Sequence, residues 1–96
     1  MGLNYVTASC TAENTFTSWI TVRNKLMLTI SSTAAWVGTV TSQLRFTTTG
    51  GTAHDTDTFT SDGVSVGEVP EDECQMRVGI KTGEYTSGIV NVRLSQ

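Results

Sequence analysis

Apolar and polar residues take turns along most of this chain, and a repeat of two fits a strand with one dry face rather than a helix. The clearest stretch is Cys74–Lys81, where Cys74, Met76, Val78 and Ile80 alternate with Gln75, Arg77, Gly79 and Lys81. Val90, Val92 and Leu94 alternate with Ile89, Asn91, Arg93 and Ser95, and Leu26, Leu28 and Ile30 with Met27 and Thr29. Over Trp36–Phe46 the apolar set is Trp36, Val40, Leu44 and Phe46, against Thr39, Thr41, Gln43 and Arg45. That spacing predicts one half-buried strand of about 35 Å, with Gly38 marking a bulge or a close backbone approach. Shorter strands are expected at Leu3–Ala8, Phe16–Val22, Thr56–Thr60 and Val64–Val69.

Composition points the same way. Thr and Ser together supply 27 of the 96 residues, and β-branched Thr suits a pleated, half-buried surface better than a helix. Turn chemistry falls between the strands: a tight hairpin at Arg23-Asn24, turns at Gly50-Gly51, Asp62-Gly63 and Pro70-Glu71-Asp72, and a longer loop over Thr82–Gly88. About eight strands, each with one dry face, need a second sheet or closure on themselves to cover it. The expected fold class is therefore all-β. The chain reads as an antiparallel β-sandwich in a single domain spanning 1–96, with a jelly-roll-like connection as one possibility.

Charge is segregated along the chain. Between Gly51 and Cys74 stand Asp55, Asp57, Asp62, Glu68, Glu71, Asp72 and Glu73 with no Lys or Arg, while the remainder carries all six cations against Glu13 and Glu84. The net charge of −3 argues against nonspecific capture of nucleic acid or anionic membranes. No apolar run approaches the ~18–20 residues of a membrane span, and no signal-peptide pattern opens the chain.

Catalysis finds little to work with. His54 is the only histidine and sits in an acidic turn, and no GxSxG elbow or cysteine–histidine signature is present. Cys10 and Cys74 lack CxxC spacing, so a zinc site has too few ligands, and reduced, part-buried thiols are expected. His54-Asp55-Thr56-Asp57 lacks the terminal Glu of a calcium loop. No enzyme activity, metal or cofactor is expected.

Function then has to lie on the outer faces. Strand parity sends Arg45, Arg77, Lys81 and Arg93 to the wet side, and if their strands are neighbours these four line one sheet face. Such a face suits an acidic partner, including the acidic stretch of another copy. Nucleic acid fits less well, because the aromatics stand apart from these cations in the pattern. Trp19 falls out of phase with Phe16, Ser18, Ile20 and Val22. Met27, Val37 and Ile89 are likewise out of phase with their strands, and Tyr85 lies in the last loop. A partner interface of Trp19, Met27, Val37, Arg45, Arg77, Lys81, Tyr85 and Arg93 is expected, with sugar stacking on the aromatics as the alternative.

The segments Lys25-Leu-Met-Leu-Thr-Ile and Trp36-Val-Gly-Thr-Val-Thr-Ser-Gln-Leu, with the ending Arg77-Val-Gly-Ile-Lys-Thr-Gly through Gly88-Ile-Val-Asn-Val-Arg-Leu, carry a likeness. The pattern resembles small β-sandwich proteins encoded among the virion genes of tailed bacteriophages and prophages. It departs where a second Trp often follows a Gly-Gly turn, since Gly50-Gly51 here leads to Thr52-Ala53-His54. The resemblance implies a non-enzymatic virion part made in the bacterial cytoplasm, a head decoration or cement protein or a tail accessory. Its partners would be further copies of itself and a phage capsid or tail protein; copies joined acidic region to cationic face would close into a ring such as a trimer, or lattice onto a capsid. A carbohydrate- or receptor-binding tail module is the alternative.

Overall fold

The computed structural model describes residues 5–46 and 52–96, and for residues 23, 24 and 68–73 the backbone alone. The strands are β1 (Tyr5–Cys10), β2 (Thr15–Phe16), β3 (Ile20–Ser31), β4 (Val37–Gly38), β5 (Val40–Phe46), β6 (His54–Phe59), β7 (Gly63–Ile80), β8 (Tyr85–Ser87) and β9 (Val90–Ser95). All pairings are antiparallel. The large sheet runs β1-β9-β3-β7-β5-β6 with β2 alongside β7, and β4 and β8 form a separate ribbon. The fold is an all-β sandwich.

Two long strands serve both leaves. In the first leaf, Met27–Ile30 of β3 lies between β9 on one side and Gly63–Val66 of β7 on the other, with β1 beyond β9. In the second, Cys74–Gly79 of β7 lies beside β5, with Ile20–Val22 and β2 on its other flank and β6 beyond β5. Leu26, Leu28 and Leu94 from the first leaf face Leu44, Phe59 and Met76 from the second across a narrow cleft of about 140 Å³. The filling between the leaves includes Val22, Leu28, Ile30, Val40, Val78, Ile80, Val90, Val92 and Leu94. Each such aliphatic side chain, taken from water, contributes on the order of 1.5–3 kcal/mol. The expected inward sets of β3, β7 and β9 are thus the observed ones.

Local expectations fail where pairing overrides turn chemistry. No hairpin forms at Arg23-Asn24, because β3 runs straight through it. Nor does Pro70-Glu71-Asp72 reverse the chain, since β7 is continuous from Gly63 to Ile80. The two irregularities meet. Val22 pairs with Cys74 and Asn24 with Val69, so Arg23 alone stands opposite Pro70–Glu73. The proline's missing N–H falls where the ladder is already interrupted. The same insertion changes the parity of β7: Ser65 and Gly67 face inward before it, Cys74, Met76, Val78 and Ile80 after it. Val64 and Val66 are left outside, 64% and 70% exposed.

The expected Trp36–Phe46 strand is broken into β4 and β5. A Cβ on Gly38 would lie 2.7 Å from the Glu84 carbonyl oxygen, so the glycine marks a close backbone approach. The Thr82–Gly88 loop contains β8, whose Tyr85 and Ser87 pair with Gly38 and Val37. The Gly50-Gly51 turn and Leu3 lie outside the described residues. No helix among the described residues is long and apolar enough to cross a membrane.

A candidate docking face on the second leaf

The most developed side-chain cluster sits on the outer surface of the second leaf, and a bulge creates it. Thr17 donates its backbone N–H to the Val78 carbonyl at 2.9 Å, and Ile20 pairs with Met76. Ser18 and Trp19 therefore both stand opposite the single residue Arg77, two against one. Thr17 stabilises the irregularity with its hydroxyl, which accepts the Val78 N–H at 3.2 Å and donates to the Ser18 carbonyl at 3.0 Å. Parity flips across the bulge. Phe16, opposite Gly79, and Trp19 both face outward with Arg77, while Ile20 and Val22 turn into the core. The expectation that Phe16, Ile20 and Val22 share a face is corrected by this extra residue.

Gly79 makes room for the arrangement. A Cβ there would collide with the Thr15 carbonyl oxygen and lie 2.6 Å from Phe16 Cα. With that space free, the Arg77 guanidinium lies 4.0 Å from the centre of the Phe16 ring and 4.7 Å from that of Trp19. Arg45 lies over the same indole at 4.2 Å. Cation–π contacts of this kind contribute roughly 0.5–1 kcal/mol each at exposed sites.

The register of β5 against β7 fixes both arginines. Gln43 stands opposite Arg77 and Arg45 opposite Gln75. Each arginine donates its Nε–H to the facing glutamine, Arg77 to Gln43 Oε1 at 2.9 Å and Arg45 to Gln75 Oε1 at 2.9 Å. Gln43 passes the polarity on through Nε2 to Asp55 Oδ1 at 2.9 Å, and Asp55 Oδ2 accepts Lys81 Nζ at 2.7 Å. Hydrogen bonds from Lys81 and then Gln43 hold the Asp55 carboxyl below its ordinary value, and the same pairing with Asp55 raises Lys81. Burial, and then the charge of Arg45, lowers the Arg77 guanidinium. Among the described residues neither arginine contacts a carboxylate; each Nε–H is engaged by a glutamine, and each guanidinium lies against the Trp19 ring.

The residues expected to form one interface are divided among three places. Trp19, Arg45, Arg77 and Lys81 share the second leaf's outer face. Arg93 belongs to β9 in the first leaf, where its guanidinium lies 4.7 Å from the Tyr5 ring centre, so the four cations do not line one face. Met27 is on that same face, beside a shallow groove of about 350 Å³ shared with Val66 and Arg93. Val37 and Tyr85 belong to the ribbon. Val37 is exposed, whereas Tyr85 packs against the core and donates its hydroxyl to the Gly88 carbonyl at 2.9 Å. The aromatics do not stand apart from the cations either: Trp19 and Phe16 touch them directly, because the bulge turns both rings outward.

Phe16, Gln43 and Gln75 are members of the cluster that parity alone did not single out. The glutamines were readable, since Gln43-x-Arg45 and Gln75-x-Arg77 place each pair on one strand face.

Elsewhere the titratable groups are scattered. Asp62 accepts hydrogen bonds from Trp36 Nε1 at 2.8 Å and from the Ser32 N–H and hydroxyl, which hold its carboxyl low. Cys10 and Cys74 are buried thiols with no disulfide between them, and burial pushes Cys10 up. Among the described residues no three His, Cys, Asp or Glu gather around one point. No family model matches the chain, and neither a curated protein nor a solved structure matches it.

Proposed function

We propose that the protein is a non-enzymatic bacteriophage virion component, a capsid decoration or cement protein that docks by self-association and by contact with a capsid protein. The virion setting rests on the sequence resemblance. The docking role is supported by one observation above all, the Arg45–Trp19–Arg77 cluster braced by two glutamines on an outer sheet face. A side-chain network of this rigidity on a surface loses little freedom on binding, which favours recognition over mere solubility. The interior is filled with aliphatic side chains, so the outer faces are left as the working surfaces. Sugar stacking is disfavoured here because guanidinium groups already occupy indole surface.

Cryo-electron microscopy of purified particles from the phage or prophage that encodes the chain tests this reading. The expected result is sandwich-shaped density at regular positions on the head. Particles lacking the protein altogether would overturn it.

A further inference from the structure

We infer that the Arg45–Trp19–Arg77 cluster is a receptor for carboxylates, and that its occupant is the acidic stretch of a second copy of this chain, between residues 51 and 74. This rests on the docking role proposed above and specifies the partner. Two guanidiniums held against one indole repel each other, and among the described residues no carboxylate relieves them. Each has its Nε–H fixed by a glutamine, and none of the side-chain hydrogen bonds between described residues uses a terminal NH₂ group, so these are the donors an incoming ligand would take. Carboxylate oxygens match such a fork with short, charge-assisted bonds.

The chain supplies the complement. Residues 51–74 carry seven acids and no Lys or Arg. Asp55 and Asp62 are satisfied internally, Asp55 by Gln43 and Lys81 and Asp62 by Ser32 and Trp36. The same stretch holds the consecutive run Glu71-Asp72-Glu73, its densest concentration of negative charge. A nucleic-acid backbone is the poorer occupant. Lys81 is neutralised by Asp55, the whole chain is net negative, and the guanidiniums cover indole surface on which a base would stack.

The test is an NMR titration of the full chain, following the Trp19 indole N–H and the Arg45 and Arg77 Nε–H signals. The probe is acetyl-Glu-Asp-Glu-amide, run beside acetyl-Gln-Asn-Gln-amide, inorganic phosphate and a short oligothymidylate. The acidic tripeptide alone should give saturable shifts. Its affinity should drop about tenfold or more in the R45Q/R77Q variant and partly in R45K/R77K, which keeps the charge and removes the fork. If R45Q/R77Q does not fold, the same loss is sought in the wild-type chain between about 50 and about 500 mM salt. In parallel, an E71Q/D72N/E73Q chain should self-associate at least about tenfold more weakly than wild type. No response to the tripeptide, an equal response to phosphate or oligonucleotide, or undiminished self-association of the neutralised chain would each overturn the inference. A protein that fails these tests and is still seen on particles refutes the carboxylate receptor and leaves the virion role standing.

Discussion

Gly79→Ala tests the geometry on which the docking face depends. The added methyl would collide with the Thr15 carbonyl oxygen and lie 2.6 and 2.8 Å from Phe16 Cα and Cδ1. The first two of these are backbone atoms, so no side-chain rotation relieves the clash. If the leaf absorbs it in place, overpacking costs about 1–3 kcal/mol. If β2 lifts away instead, the Thr17 N–H to Val78 carbonyl bond and the Val78 N–H to Thr17 hydroxyl bond both break. At about 1 kcal/mol each, and with the Phe16 ring withdrawn from the Arg77 guanidinium, the second route costs about 2–3 kcal/mol. Across the two routes the loss should lie between about 1 and 3 kcal/mol, a fall in Tm of roughly 4–24 °C for a domain of this size. Urea and thermal unfolding followed by circular dichroism would measure it. Gly63→Ala is the control: nothing lies within 4 Å of its Cβ position, and its stability should stay within about 0.5 kcal/mol of wild type. A Gly79→Ala protein as stable as that control would refute the packing of Phe16 across the glycine.

Other outcomes follow from the same structure. Val78→Asp and Leu94→Asp should each prevent folding, because both side chains are fully buried and an unpaired carboxylate there is prohibitive; soluble, cooperatively unfolding variants would refute the inward parity. Asp55 and Asp62 have depressed carboxyl pKa values, so their contribution is present above the ordinary carboxylate value and is lost as pH falls through the lower folded values. Stability should therefore decline below about pH 4, and a D55N/D62N chain should show a shallower decline in acid denaturation. Asp62→Ala should release the Trp36 indole N–H and the Ser32 hydroxyl, seen as a red-shifted Trp36 emission in a Trp19→Phe background. Cys10 and Cys74 should resist a thiol reagent in the native protein and react fully in denaturant; prompt modification of the native chain would contradict their burial.

Much of this architecture is legible in the sequence because its dominant physics is local. Cys74, Met76, Val78 and Ile80, like Val90, Val92 and Leu94, announce a dry face by alternation alone, and that face is where they lie. What alternation does not carry is the identity of the neighbouring strand. Arg93 has the outward parity of Arg77, but parity specifies a side of a strand and says nothing of which leaf contains it. Bulges are hidden for a related reason. The two-for-one pairing of Ser18-Trp19 against Arg77 exists only relative to β7, and it converts an apparently out-of-phase Trp into the partner of two arginines. Pro70-Glu71-Asp72 shows the converse case. Its residues favour a turn, yet pairing on both sides of the interruption holds β7 extended.

If the second leaf's outer face joins copies through charge, sedimentation equilibrium of the full chain at low and at high salt measures it directly. The predicted result is an assembly of several times the 10.3 kDa chain mass at low salt, dissociating as salt rises and absent in R45Q/R77Q. A 10.3 kDa monomer at every salt and protein concentration would contradict it.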